Sequence, residues 1–296
     1  MQRPRLLLAL CALFWAGNFV LARAMHEALP PFALAFWRWA FATLLVLPFV
    51  WRPLVQAWSL LRANLWHMLI LALLGVSGFN TFVYLGLQTT SATNGVLIQS
   101  TMPVLILLLN WAVFRTAVRP VEVVAILLSL LEMTVIMSAG EPLRLVGGGW
   151  NLGDLWILTA ALTWALYSVL LRWRPSSLDP RAFLGFTLAV GTAALLPFFL
   201  IETFAGRTPQ WDLAGVLTVA YVAVFPSALA YLFWNRGVEA VGSNAAGHFI
   251  HLMPVLGVLM AVAFLGEDVG WFHVVGTLLV AAGIGLKLLR EYPPGT

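Results

Sequence analysis

The chain has 296 residues, of which 61% are apolar and 9% charged. A soluble domain carries about 25% charged residues, so water is excluded as the solvent for most of this length. The formal net charge of +4 comes from basic residues scattered singly at the ends of apolar runs. That spacing excludes a nucleic-acid-binding stripe and fits membrane topology.

A helix crosses the hydrocarbon core with about 20 apolar residues. Runs of that kind are read at 5–24, 30–51, 64–87, 92–114, 120–139, 151–172, 181–204, 212–237, 243–265 and 270–290, ten in all. They are continuous rather than alternating, which predicts helices and not barrel strands. The first run follows Arg3 and Arg5, and Ala22-Arg23-Ala24 imitates a peptidase site. Its counterpart at 155–172 lies inside the chain, so the first run is expected to be structural. Pro30-Pro31, Pro53, Pro120, Pro142, Pro175, Pro180 and Pro209 fall near run boundaries, where proline interrupts helices at least cost. The segment 140–150, with Gly147-Gly148-Gly149, reads as a linker between halves.

The two halves resemble each other. Residues 6–49 align with 155–198 at an offset of 149, identical at 16 of 44 positions, including Trp15/Trp164, Arg23/Arg172 and Pro31/Pro180. A second register, offset 151, pairs 86–128 with 237–279 at 12 of 43 positions, centred on Met-Pro-Val-Leu at 102–105 and 253–256. The expected units are therefore 1–145 and 150–290. With a cytoplasmic N-terminus, Arg3, Arg5, Arg52, Arg62, Arg115, Arg119, Arg172, Arg174, Arg181, Arg236, Lys287 and Arg290 share one side, and only Arg23, Arg144 and Arg207 the other. The positive-inside bias then places both termini in the cytoplasm. Five spans per unit invert the second copy against the first, the arrangement that lets one cavity open to either side.

Ten spans, a five-plus-five inverted repeat, and Gly266-Glu267 followed by Gly276 and Gly283 resemble the drug/metabolite transporter superfamily of EamA type. The first copy departs from the repeat ending, with Arg115, Thr116 and Glu132 in place of Gly266, Glu267 and Gly283. Within that superfamily the abundance of Trp and Phe is most similar to aromatic amino acid exporters of the YddG type. The resemblance implies a multi-pass exporter in the bacterial inner (plasma) membrane, with helices one, three, four, six, eight and nine around a central cavity.

Polar groups inside lipid are expensive and are expected to face the bundle interior. Helical spacing gathers Ser77, Asn80, Thr81, Tyr84 and Gln88 in run three, and Ser227, Tyr231 and Asn235 with Trp234 in run eight. Asn244, His248 and His251 share run nine; Trp15 and Asn18 lie in run one, Trp164 and Tyr167 in run six, and Gln99 in run four. The repeat registers match Asn18 with Tyr167, Asn80 with Tyr231, Tyr84 with Asn235 and Ser100 with His251. The expected substrate-binding set is Trp15, Asn18, Asn80, Tyr84, Gln99, Trp164, Tyr167, Tyr231, Trp234, Asn235, Asn244, His248 and His251. For each group alone, interhelical hydrogen bonding is the competing explanation.

Pro103 and Pro254 are matched mid-run prolines, read as hinges or as fixed kinks. Arg38 and Glu132 are charges within spans, about 12 Å and about 10 Å from one boundary at the helical rise. Their similar depth suggests a structural ion pair away from the cavity; proton coupling by Glu132 or carboxylate binding by Arg38 are the alternatives. Cys11 is the only cysteine, which excludes an internal disulfide and a thiolate metal cage. The two histidines lack an acidic companion on their helix, so no metal and no cofactor is expected.

The expected function is secondary transport, by alternating access, of small amphipathic metabolites such as aromatic or other amino acids. No phosphate-binding loop is present, so this chain is not expected to hydrolyse ATP. The lack of a buried charge cluster argues against sugar phosphates and nucleotide sugars. Export of nucleobases or toxic compounds, and an integral-membrane enzyme, stay open. The expected partners are a small-molecule substrate and the lipid bilayer, with a monomer as the functional unit.

Overall fold

A computed structural model describes residues 2–117, 120–141, 143, 150–241, 249–250 and 252–291. The elements among them are helices: α1 Gln2–Ala24, α2 Pro31–Gln56, α3 Leu65–Gly86, α4 Ala92–Phe114, α5 Pro120–Met137, α6 Leu152–Trp173, α7 Pro180–Phe204, α8 Leu213–Val241, α9 Leu252–Leu265 and α10 Trp271–Glu291. A short helix, Trp58–Ala63, joins α2 to α3. Seven of them, α1 to α4 and α6 to α8, are long and apolar enough to cross a membrane. Nine of the apolar runs agree with helices to within a few residues, several with proline or a capping group at the boundary; of the run at 243–265, residues 243–248 and 251 lie outside the described residues. Pro31 and Pro180 occupy first turns, where a missing N–H costs nothing. Ser91, Asn151, Asp179 and Asp212 accept backbone N–H bonds at the starts of α4, α6, α7 and α8.

The outer surface carries large apolar side chains such as Phe49, 81% exposed, and Phe204, 86% exposed, which only lipid can cover. Inside, Phe19, Leu34, Trp39, Tyr84, Val96, Ile157 and Leu188 belong to one continuous core. Helix α2 packs on α7 and α5 on α10; α1 packs on α8 and α9, and α6 on α3 and α4. Small residues let backbones approach closely, as is usual where lipid supplies no hydrophobic drive between helices. Gly86 lies against Ile157, Gly237 against Leu8 and Gly185 against Val50. Phe36 stacks on Phe199 with ring centroids 4.8 Å apart, and the Thr43 and Thr192 hydroxyls are 3.0 Å apart.

Several helices depart from plain α geometry, including α6, which ends in a 3-10 turn at Leu171–Trp173, and α9, which ends in a π-helical stretch at Ala261–Leu265. A π-helical turn interrupts α3 at Leu73–Gly78 and another interrupts α8 at Val224–Leu229. Such turns insert an extra residue and redirect the side chains that follow. In α4, Gln99–Thr101 forms a 3-10 turn directly before Pro103, which accommodates the hydrogen bond that proline cannot donate. Pro254 lies in the first turn of the described part of α9. Gly147-Gly148-Gly149, the centre of the expected linker, falls outside the described residues.

Successive helices alternate in direction, so the bundle has two ends. One gathers Arg23, Leu87, Gln88, Asn151 and Arg207; the other gathers Phe114, Arg172, Trp173 and Arg174. They are termed the Arg23 end and the Arg172 end.

Candidate functional site

The centre of the bundle is organised by a charge. Arg38, in α2, is 4% exposed, and its guanidinium points at α1, α3 and α8. Nε donates to Ser227 Oγ at 2.8 Å, and Nη1 donates to Asn18 Oδ1 at 2.8 Å and to the Tyr84 hydroxyl at 2.7 Å. Each hydroxyl passes its own proton on: Tyr84 to Asn18 Oδ1 at 2.8 Å, Ser227 to the Val222 carbonyl at 2.8 Å. The guanidinium carbon lies 5.0 Å from the Trp39 ring centre, a further favourable contact for a cation. All these partners are uncharged.

The expected ion pair between Arg38 and Glu132 does not form. Glu132, in α5, accepts from Ser100 Oγ at 2.5 Å and packs beside Gly276 of α10. Similar expected depth did not bring the two together because α5 pairs with α10, whereas Arg38 of α2 turns toward α1, α3 and α8. Arg38, expected away from the cavity, lies instead at the centre of the bundle among α1, α3 and α8.

The remaining expected residues separate into groups. Asn18 and Tyr84 join Arg38. Tyr167 and Tyr231 line a cavity of about 220 Å³, whose wall also includes Arg174, Arg181, Phe183 and Thr187. Trp15 donates from Nε1 to the Pro226 carbonyl at 3.1 Å and packs on Trp234, ring centroids 5.6 Å apart. Trp164 lies between Phe79 and Tyr167, at 4.9 and 5.2 Å. Two residues stand apart from the network: Asn80 bonds locally to the Val76 carbonyl, and Gln99 reaches the Ile157 carbonyl, both at 3.4 Å. Asn244, His248 and His251, and the side chain of Asn235, lie outside the described residues.

The two ends differ. At the Arg172 end, Arg174 and Arg181 line the cavity. Arg174 stands over the Phe183 ring, and Arg181 pairs with Asp179 at 3.0 Å. Hydrogen bonds from Arg181 hold the exposed Asp179 carboxyl below its ordinary pKa range, so it is ionised at neutral pH. At the Arg23 end the helices are tied together. Arg23 Nη1 donates to the Leu87 and Gln88 carbonyls at 3.0 and 3.1 Å, and Arg207 donates to Gln88 Oε1 at 3.2 Å. The Gln210 amide donates to the Ala28 carbonyl at 2.9 Å. Glu267 accepts the first amides of α4, from Ala92 and Thr93, at 2.7 and 2.9 Å. His273 of α10 bonds Asn94 at 3.0 Å.

Sequence reasoning therefore missed Arg38 and Ser227 as neighbours of Tyr84, and Arg174 as a cavity residue. One signal for Arg38 existed: at the offset of 149 its counterpart is Thr187, another polar residue in mid-helix, and Thr187 lines the cavity.

A lipid-facing helical bundle with a polar, charged centre and a cavity at one end is the architecture of a carrier. The model of the EamA-like transporter family matches residues 3–138 and again 151–289. The chain belongs to this family. It is similar to an uncharacterized transporter of Archaeoglobus fulgidus, 28% identical over 98% of this chain and 99% of that one. An uncharacterized transporter of Bacillus subtilis, YyaM, is 27% identical over 92% of this chain and 89% of its own length. A WAT1-related chloroplastic protein of Arabidopsis thaliana is 27% identical over 95% of this chain and 68% of its own. One solved crystal structure matches with a TM-score of 0.62 over 98% of both chains at 20% identity, a likeness of fold alone. This EamA-family chain is thus a multi-pass membrane protein, and transport is the activity its relatives are named for.

Proposed function

We propose that this transporter works by alternating access, as two inverted five-helix repeats, 1–145 and 150–290, that move small amphipathic metabolites such as amino acids out of the cell. The observation that carries the reading is the pairing of repeat counterparts in space. Thr43 touches Thr192, its own counterpart at an offset of 149. Phe36 on Phe199 is mirrored by Gly185 on Val50, the same two positions exchanged between halves. Gly86 on Ile157 is mirrored by Gly237 on Leu8, and the π turns at 73–78 and 224–229 are 151 residues apart. A two-fold axis in the membrane plane accounts for all four, and it makes the two ends interchangeable conformations of one machine.

In this reading both termini are cytoplasmic in a plasma membrane, and the Arg172 end, with its cavity, faces the cytoplasm. The tied Arg23 end is the closed outer gate. Tyr84, Trp164, Tyr167, Tyr231 and Trp234 receive the apolar body of the substrate, with Trp15 supporting Trp234. Asn18, Asn80, Gln99, Asn235, Asn244, His248 and His251 meet its polar parts, and Pro103 and Pro254 are the bending points. Aromatic walls favour aromatic amino acids, as the resemblance to exporters of the YddG type implies.

The test is counterflow in liposomes holding the purified protein, with labelled phenylalanine and tryptophan and a competing panel of amino acids, nucleobases and drugs. Saturable exchange is expected; vesicles inert to the whole panel would overturn transport as proposed. Cysteines introduced at Arg62 and Arg236, in a Cys11→Ala background, are expected to label from the same side. Labelling from opposite sides would remove the inverted repeat.

A further inference from the structure

Among the described residues, Arg38 is a buried cation that no carboxylate neutralises. An isolated charge in low dielectric is costly, and hydrogen bonds to neutral oxygens orient it without cancelling it. The acids inside the bundle have other partners. Glu132 is bonded by Ser100, Asp154 by Thr90 and Asn94, Glu202 by the Ala33 amide, and Glu267 by the Ala92 and Thr93 amides. Among the described residues, no carboxylate pairs with Arg38. Of its nitrogens, Nε and Nη1 are engaged, and Nη2 makes no hydrogen bond within the described residues.

We infer that Arg38 receives the carboxylate of the transported molecule, an inference that rests on the transport reading above. The ligand class is small organic monocarboxylates with an apolar body, amino acids among them. One guanidinium among neutral partners matches one negative charge; a phosphate dianion would leave half its charge unmet. The approach suits an anion. Arg174 lines the cavity, and so does Tyr231, four residues along α8 from Ser227, whose hydroxyl accepts from Arg38 Nε. Within the described residues the Tyr231 hydroxyl makes no hydrogen bond. Trp39 lies alongside the guanidinium, and Tyr84 holds its other side. The fixed orientation of Arg38 is thus pre-set before the ligand arrives, which lowers the ordering cost of binding.

The test compares acids with their amides in the full-length protein in liposomes: phenylacetate against the neutral phenylacetamide, and phenylalanine against phenylalaninamide at a pH above the amide's amino pKa, where its amine is uncharged. For the native chain the acids are expected to exchange, with the amides weaker by about tenfold or more, the usual worth of an ionic hydrogen bond. Inorganic phosphate is expected not to compete. In Arg38→Gln the preference of acid over amide disappears, and in Arg38→Lys part of it returns. Equal exchange of acids and amides by the native protein overturns the inference while leaving transport standing. That comparison needs no variant, so misfolding of Arg38→Gln cannot mask it. Competition by phosphate as strong as that by phenylacetate also overturns the monocarboxylate assignment. Exchange of none of the acids or amides overturns the transport reading itself.

Discussion

Thr43 and Thr192 face each other across the α2–α7 contact with their hydroxyl oxygens 3.0 Å apart. Each is the other's counterpart in the repeat, so in the proposed two-fold arrangement both sit on the axis. Points on a rotation axis move least when the halves rock. In a Cys11→Ala background, Thr43→Cys with Thr192→Cys is expected to form a disulfide under mild oxidation, read as a mobility shift on gels after cleavage between the halves. Counterflow by the cross-linked protein is expected to persist. Abolished transport in that species would mean that the halves slide past each other here.

The closed Arg23 end supplies a template for the opposite gate. Arg23 corresponds to Arg172 and Gln88 to Glu239 in the two registers. Arg172 now stands over the Phe114 ring, 4.8 Å from its centre, and Glu239 is exposed. When the Arg172 end closes, Arg172 is expected to meet the carbonyls of residues 238 and 239 and the Glu239 carboxylate. Arg172→Glu should slow exchange strongly, and adding Glu239→Arg should restore much of it. Absence of rescue by the charge swap would refute the template.

Tyr84 both accepts from Arg38 and donates to Asn18. Tyr84→Phe keeps the ring but leaves one buried guanidinium N–H without its acceptor, while Asn18 Oδ1 keeps only Arg38 Nη1 as donor. The expected loss is about 1–3 kcal/mol, visible as a lower thermal midpoint in detergent and a raised half-saturation constant for exchange. Ser227→Ala removes the acceptor for Nε and should act in the same direction. Unchanged stability in both variants would argue that the network does not hold Arg38 in place.

Most of the bundle was legible because each apolar run must span lipid and several boundaries carry proline. Pro31 marks a helix start by its chemistry, whereas Ser91, Asn151 and Asp212 are recognised as caps only from the structure. The azimuth of a side chain inside a lipid-exposed helix was harder to read. Trp37, Arg38 and Trp39 lie in consecutive positions of a run that is apolar on every side, so no amphipathic stripe says which way Arg38 points. Depth alone then suggested Glu132 as its partner, whereas direction was decided by the packing of α2 against α7. The stripes of α3 and α8 had the opposite advantage: their polar groups recur on one face, and Tyr84 and Ser227 do meet. The π turns carried no sequence signal that periodicity could detect, and they change which residues of α3 and α8 face inward.

The carboxylate of Glu267 caps α4 through two charge-assisted bonds, to the amides of Ala92 and Thr93. A capping acid at a helix start contributes about 1–2 kcal/mol. Glu267→Ala is expected to lower stability by that amount in thermal unfolding, and Glu267→Gln by less, since one amide oxygen can still accept. Equal midpoints for the native chain and Glu267→Ala would show that the cap contributes nothing.

That cap, with the His273 bond to Asn94, has a mechanical corollary. The first turn of α4 belongs to the first half by chain order, but it is riveted to the second half by the α9–α10 loop and by α10. While those bonds hold, the top of α4 travels with α10, and opening of the Arg23 end requires that they break.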